Sequence, residues 1–558
     1  MLRLTQAVPA AIRGQASEGV LSRALQQTPL RLFYYHSFTS HITAAQVCLS
    51  AVRLRSTVTA VNEDVREDTA STDWEQARPY SAIPGPTPLP ILGNAHHFMP
   101  PFGKYNGINL ADVMKSFNVE YGPVAKLGGL PGRADFIIIS EPHLIEQVLR
   151  TEGVWPMRKG ADSLEYYFRN IRKNYRVSLA SSQGQEWQEF RTAVNQVMMK
   201  PQNTKQYVEP IDRVSQEFVD RIRAMRDGNN ELPDQFFDEI SKWALESITY
   251  VALDTKLGLL RGDLDPNSES YKMIDAVHTV FESMYKLDFL PSLWKQVSTP
   301  TYRKFIKSMN FFTEMSTKYV NMAMERLQST PRSELEDRPY SVLENLLLRT
   351  EDPNMAVAMA LDMLLAGVDT TGTGVATFLY QLATHPEQQQ KLQEELDRVI
   401  PDINKPLTKE QLEDMRYLRA CIKETMRTMP IILGNARNAG KDLVLGGYQI
   451  PEGTLMMMTY RGLFDNEKYF PRAKEFLPER WLPGGEALKC KHPFAFLPFG
   501  FGVRKCVGKR FADLEMETVL AKTFRNFSVE WNRPPANTTF HFILKFLDPL
   551  KFTVKDRV

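Results

Sequence analysis

Cysteine is scarce in this 558-residue chain: there are four, Cys48, Cys421, Cys490 and Cys506, with no CxxC spacing and no framework of pairs. That excludes a disulfide scaffold and fits a reducing compartment. A functional thiol would have to act through reactivity or metal ligation. Uninterrupted apolar runs of roughly 18 residues or more are also missing, so no membrane-spanning segment is expected, and peripheral attachment stays open. Charge of one sign is lacking as well. The formal net charge is +2, which argues against a bulk electrostatic nucleic-acid binder. With 43% hydrophobic and 24% charged residues, a sizeable core forms and wholesale disorder is excluded.

What charge there is lies unevenly. Residues 1–62 hold six arginines (Arg3, Arg13, Arg23, Arg31, Arg53, Arg55), no lysine and one acid, Glu18. An Arg-rich, Ser/Thr-bearing, acid-poor leader has the composition of a mitochondrial presequence. A negative-inside potential draws such a segment inward, and it can lie along a membrane surface. Residues 1–62 are therefore expected to be a presequence, 63–80 an acidic polar linker, and 81–558 the folded domain. Four prolines between Pro84 and Pro90 fix φ and make a stiff, extended lead-in.

From Leu110 to about Ile400 the periodicity is helical, as in Val208–Asp227 and Met309–Thr330. Strands are expected at Phe136–Ile139, Leu443–Ile450, Phe540–Leu547 and Lys551–Val554. Gly446–Thr454 reads as strand, turn, strand. The expected architecture is one mainly α (α+β) domain with small sheets at its margins.

The segment from Phe499 to Gly508 concentrates three glycines, two cations and Cys506. Glycines allow tight turns and close backbone approach to a flat ligand. Backbone N–H groups, Arg504 and Lys505 would favour the thiolate, and the amphipathic helix that follows presents its N-terminus to it. Such a thiol could be a redox nucleophile, a zinc ligand, an axial haem ligand or a buried structural cysteine. The absence of a nearby second Cys or His argues against zinc.

Phe499, Gly502, Arg504, Cys506 and Gly508 match the pattern Phe-x-x-Gly-x-Arg-x-Cys-x-Gly without departure, and Arg510, Ala512 and Glu515 match its helical continuation. The segment resembles the cysteine-ligand loop of the cytochrome P-450 monooxygenases. The resemblance implies that family's mainly α-helical fold, haem b (iron protoporphyrin IX) with Cys506 as axial iron ligand, and O2 as co-substrate. The thiolate would push electron density onto iron and favour O–O cleavage.

Three separate motifs bear on the same resemblance. Glu424 and Arg427 share a helix face at i, i+3; with Arg480 they are similar to the family's buried Glu-Arg-Arg cluster, a structural role. Ala366, Gly367, Asp369 and Thr370 interrupt a long apolar helix with small and polar residues that helix propensity does not favour. They resemble the oxygen-activation motif, in which Gly367 would make room for dioxygen, Thr370 would hydrogen-bond its distal oxygen and Asp369 would help deliver protons. Trp187 and Arg191, with Arg437 and Arg504, match the family's propionate partners, and Phe499 and Gly508 would complete the cofactor contacts.

Arg419 and Lys423 share one face at i, i+4, where mitochondrial members carry two basic residues that dock an acidic ferredoxin. Lys505, Lys509 and Arg510 would extend the patch. The resemblance thus implies electrons from NADPH through a ferredoxin reductase and an adrenodoxin-like ferredoxin, on the matrix side of the inner mitochondrial membrane. The stretch LGNARNAGKDLVLGGYQIPEGT is most similar to an insect mitochondrial clade associated with xenobiotic oxidation, with ecdysteroid or other steroid-hormone hydroxylases as the competing reading. Substrate contacts are expected from Met363, Ile431, Ile432, Leu433 and Phe540. Two readings of other classes remain: a non-oxygenating haem isomerase or dehydratase, and a haem sensor. The Asp369–Thr370 pair argues against both.

Overall fold

The computed structural model describes residues 73–557, apart from 131, 263, 264, 266, 291, 332–339 and 351. The expected presequence lies outside the described residues, as does most of the expected linker. Where the linker is described it is pinned rather than free. Arg78 forms a bridge with Tyr448, and the Trp74 carbonyl accepts from Gln449 Nε2 at 2.8 Å. The proline-rich lead-in runs extended, and its Pro84 carbonyl accepts from the Lys126 N–H at 2.7 Å.

Helices dominate. Eight position the site: α1 (Gly184–Met198), α2 (Val208–Met225), α3 (Phe236–Leu253), α4 (Glu269–Met284), α5 (Pro300–Ser329), α6 (Pro353–Thr384), α7 (Arg416–Thr428) and α8 (Lys509–Asn526). Most are amphipathic and bury one stripe. α6, like α3, is buried over most of its circumference, and it lies between α3, α5 and α8. A helix apolar all round belongs inside a large core. By length and composition alone α6 would pass for a membrane span, with Asp362 and Asp369 its only charges. With 72% of its apolar stretch buried in the protein, it is a core helix.

The strands are short. β1 (Val124–Leu127), β2 (Phe136–Ile139), β6 (Leu455–Thr459) and β3 (Gly434–Asn438) form one sheet in that order, parallel only between β2 and β6. β4 (Leu443–Leu445) and β5 (Tyr448–Ile450) form a hairpin, so the single expected strand Leu443–Ile450 is turned at Gly446 and Gly447, both at positive φ. The expected strand Phe540–Leu547 likewise divides into β8 (Thr538–His541) and β9 (Ile543–Phe546) around Phe542, whose φ is +78°. β7 (Phe527–Glu530) pairs with β10 (Thr553–Asp556). β1, β3 and β7 were not legible because short pieces of sheet carry too little alternation.

Candidate active site

Cys506 lies just before α8, in a loop turned by Gly500 (φ +74°) and Gly502 (φ +68°). Its backbone N–H donates to the Phe499 carbonyl at 2.8 Å, which fixes the loop across its base. The thiol has accessible surface, yet burial is the largest influence on it. It therefore opens on an interior space. Burial pushes the thiol up, against the Gly508 N–H and the guanidiniums of Arg191 and Arg158. The sequence expectation was a lowered value with Arg504 and Lys505 as the cations. Both points are corrected: enclosure outweighs the donors, and Lys505 is exposed while Arg504 faces away onto Trp187.

Four arginines surround this loop. Arg504 lies 4.0 Å from the Trp187 ring centroid and donates to the carbonyls of Pro156 and Ser182 and to Gln183 Oε1. Arg191 Nη2 donates to the Lys505 carbonyl at 2.8 Å. Arg437 pairs with Glu152, whose carboxylate approaches closely because Gly502 has no Cβ. Arg158, which sequence reasoning missed, donates to the Ala180 carbonyl. Burial, then mutual repulsion, pushes Arg504 down to about 9 and Arg158 down to about 10. Arg191 Nε and Arg504 Nη1 are buried with no partner. Behind them Asp362 of α6 accepts from the Ser178 hydroxyl and from the Leu179 N–H at 2.6 Å, gripping the loop that holds Arg504 and Arg158. Its carboxyl is pushed up to about 7 by burial.

On α6 the expected motif stays helical throughout. The Thr370 hydroxyl donates to the Ala366 carbonyl at 2.5 Å. Ala366 is exposed although Leu365 and Val368 beside it are buried, so it too faces an interior space. Asp369 points to α4, where His278 Nε2 is 3.3 Å from its Oδ1. Gly367 also serves the packing of α6. A Cβ there would meet Ile248 Cγ1 of α3 at 2.7 Å, so helix packing demands the glycine. Gly367→Ala is expected to destabilise the protein by about 1–3 kcal/mol through overpacking. Ile248→Val should recover part of that, and thermal unfolding of single and double variants measures both. Next in the chain, Thr371 meets Glu515 of α8, whose carboxyl burial pushes up to about 8.

Glu424, Arg427 and Arg480 converge as expected, all wholly buried. The Glu424 carboxylate accepts from Arg427 (2.7 and 3.0 Å), Arg480 (3.0 Å), the Leu477 N–H (2.8 Å) and the Trp481 indole (3.0 Å). The guanidiniums spend their remaining donors on carbonyls of Phe464, Pro471, Arg472, Ala473, Glu475 and Leu488.

Arg419 and Lys423 lie on the outer side of α7. Lys423 is exposed. Arg419 is half committed: it donates to the carbonyls of Leu412 and Glu413 and sits 3.5 Å from Glu517 of α8. Among the expected substrate contacts, Met363 is buried in the main core, and Leu433 and Phe540 are buried in a small cluster with Ala111 and Leu544. Ile431 and Ile432 are half-buried and bond β9. The half-buried Phe542 packs on Phe289 and on Phe281 of α4 at ring separations of 5.2 and 6.3 Å. Only its positive φ aims it there, which no sequence period reveals.

A family model described as Cytochrome P450 matches residues 83–552. The chain belongs to the cytochrome P450 family. It is 38% identical to Cytochrome P450 CYP12A2 of Musca domestica over 95% of this chain and 99% of that protein. It is 39% identical to Probable cytochrome P450 301a1, mitochondrial, of Drosophila melanogaster over 87% of this chain and 88% of that protein. It is also 39% identical to Cytochrome P450 12b1, mitochondrial, of Drosophila acanthoptera over 84% and 88%. As a cytochrome P450 it is a haem-thiolate monooxygenase that uses haem b and O2. The donor set fits that cofactor. A thiol opens inward, and four crowded guanidiniums, two with unpartnered buried nitrogens, supply the positive charge that two propionates neutralise.

Proposed function

We propose that Cys506 would ligate the haem iron, that Arg158, Arg191, Arg437, Arg504 and Trp187 would hold the propionates, and that Asp369 and Thr370 would conduct protons to the oxygen site. Bound haem supplies the iron at which dioxygen is bound and split, in the overall reaction RH + O2 + 2e− + 2H+ → ROH + H2O. The protein's part is to enclose the site, to hold the Thr370 hydroxyl through the Ala366 carbonyl, and to keep Asp369 at the edge of α6 where a proton can enter from α4. The substrate is a lipophilic small molecule, with a xenobiotic favoured. The apolar, aromatic surface offered by Phe281, Phe289 and Phe542 supports that reading.

Electrons come from NADPH through a ferredoxin reductase and an acidic ferredoxin, in the mitochondrion. The mitochondrial designation of relatives supports the compartment. The observation that carries the docking reading is the surface joining α7 to the cysteine loop. Arg419 meets Glu517 of α8, Lys509 lies 4.9 Å over the Phe499 ring, and Lys423, Lys505 and Arg510 stand exposed around them. Positive charge there steers a transient acidic partner. Because Arg419 also holds backbone carbonyls, Lys423→Glu is the cleaner test. It is expected to lower ferredoxin-supported O-dealkylation of a fluorogenic alkoxycoumarin by about tenfold at low salt, while peroxide-supported turnover is retained. Equal loss of both activities would count against docking at α7.

Attachment to the matrix face of the inner membrane is peripheral. Ile91, Phe102, Leu293 and Val297 are strongly exposed apolar side chains. Near the first pair, Asn94 bonds the carbonyls of Gly128 and Gly129, and near the second, Arg133 donates to the Leu290 carbonyl. An apolar face of this kind suits a lipid interface.

A further inference from the structure

His278 is a titratable side chain with no part in the chemistry assigned above, yet it touches Asp369. It lies on α4 with its Nε2 3.3 Å from Asp369 Oδ1, and the two side chains are 36% and 15% exposed. At that distance the two form an ion pair when the imidazole is protonated. Asp238 of α3 and Lys545 of β9 also act on the imidazole. On α4 itself Asp275 and Glu282 are one turn away, and Glu282 is engaged by Lys286 at 2.6 Å. Burial disfavours the imidazolium, but Asp369 and Asp238 overcome it and push the pKa above the ordinary histidine value, with Lys545 opposing.

The helix carrying His278 is anchored independently of Asp369. Past Met284 it widens into a π-turn, Tyr285–Phe289, whose Leu287 carbonyl and the neighbouring Leu290 carbonyl accept from Arg133. Asp288 in that turn accepts from the Ser163 N–H at 3.0 Å and from its hydroxyl at 2.6 Å. The imidazole on this anchored helix faces the Asp369 carboxylate.

We propose that His278 is a positioning residue for Asp369, holding the carboxylate toward α4 when protonated and freeing it toward Thr370 when neutral. This rests on the proton-conducting reading of Asp369 and Thr370. Asp369 takes one proton from solvent, passes it to Thr370 Oγ1 as that hydroxyl donates its own inward, and is left a carboxylate again. An imidazolium beside the carboxylate holds it toward α4 and away from Thr370. Proton delivery therefore slows as His278 protonates.

The test uses haem-loaded protein with ferredoxin, its reductase and a fluorogenic alkoxycoumarin. Wild-type turnover at saturating probe is expected to fall about tenfold per pH unit below the His278 pKa. His278→Asn should be flat with pH at the fast rate, and His278→Arg flat at the slow rate. Independently of turnover, the imidazole NMR titration of His278 should move to lower pH in Asp369→Asn. A wild-type pH profile retained in both His278 variants, or an imidazole titration unmoved by Asp369→Asn, overturns the proposal. The reduced, CO-bound spectrum of each protein keeps this separate from the site reading. A thiolate-type spectrum with unaltered pH profiles sinks only the role of His278, whereas its absence in the wild-type protein sinks the haem-thiolate site.

Discussion

Cys506→Ser is expected to yield a folded protein whose reduced, CO-bound form has lost the red-shifted Soret band of thiolate-ligated haem. Monooxygenase turnover should fall by more than the about 100-fold that loss of an outer-shell partner costs a metal site. Folding should survive because the loop does not depend on the sulfur. Its base is closed by the Cys506 N–H on the Phe499 carbonyl, and its turns are set by Gly500 and Gly502. Serine keeps the size and the backbone bond but is a far weaker soft-metal ligand. Absorbance with and without CO, on protein of matched thermal midpoint, reads the result. A serine variant that kept the thiolate band would remove Cys506 from the iron.

Glu424→Ala is expected to cost about 3–5 kcal/mol, enough to prevent recovery of soluble, haem-loaded enzyme, because it leaves two wholly buried guanidiniums without their anion. Glu424→Gln keeps an acceptor of the same shape and should lose less. Arg427→Lys should behave nearly as badly as alanine at position 424. A single ammonium cannot bond both carboxylate oxygens and three carbonyls at once. Chemical denaturation of the three variants ranks them. An alanine variant with wild-type stability would show that the cluster stabilises nothing.

The parts of the site that sequence made legible are those whose chemistry is local. Cys506 with its glycines, Glu424 with Arg427, and Trp187 with Arg191 each lie within one loop or one helix face, and the structure places each where the pattern implied. What was illegible is made by distant segments meeting. Arg158 sits in a loop with no period, and only its approach to Arg191 and Arg504 gives it meaning. The His278–Asp369 contact joins helices 91 residues apart in sequence. The resemblance gave Gly367 a role toward dioxygen, but its close packing on Ile248 of α3 had no sequence signal. Leu433 and Phe540 were given to the substrate because apolar residues of core and pocket look alike in sequence. The strand around Phe542 was drawn straight because nothing in its alternation announces a left-handed residue.

The Glu424 cluster carries a consequence for how this chain can drift. Residues 464–488 contain few regular elements, and six of their backbone carbonyls are spoken for by Arg427 and Arg480 alone. Every amino acid supplies a carbonyl, so two arginines and one glutamate hold the path of this segment while leaving most of its side chains free to change. The exposed positions of the segment can therefore change to suit new surfaces without its course being lost, provided those three residues and the buried Phe464, Tyr469, Phe470, Ala473 and Phe476 stay.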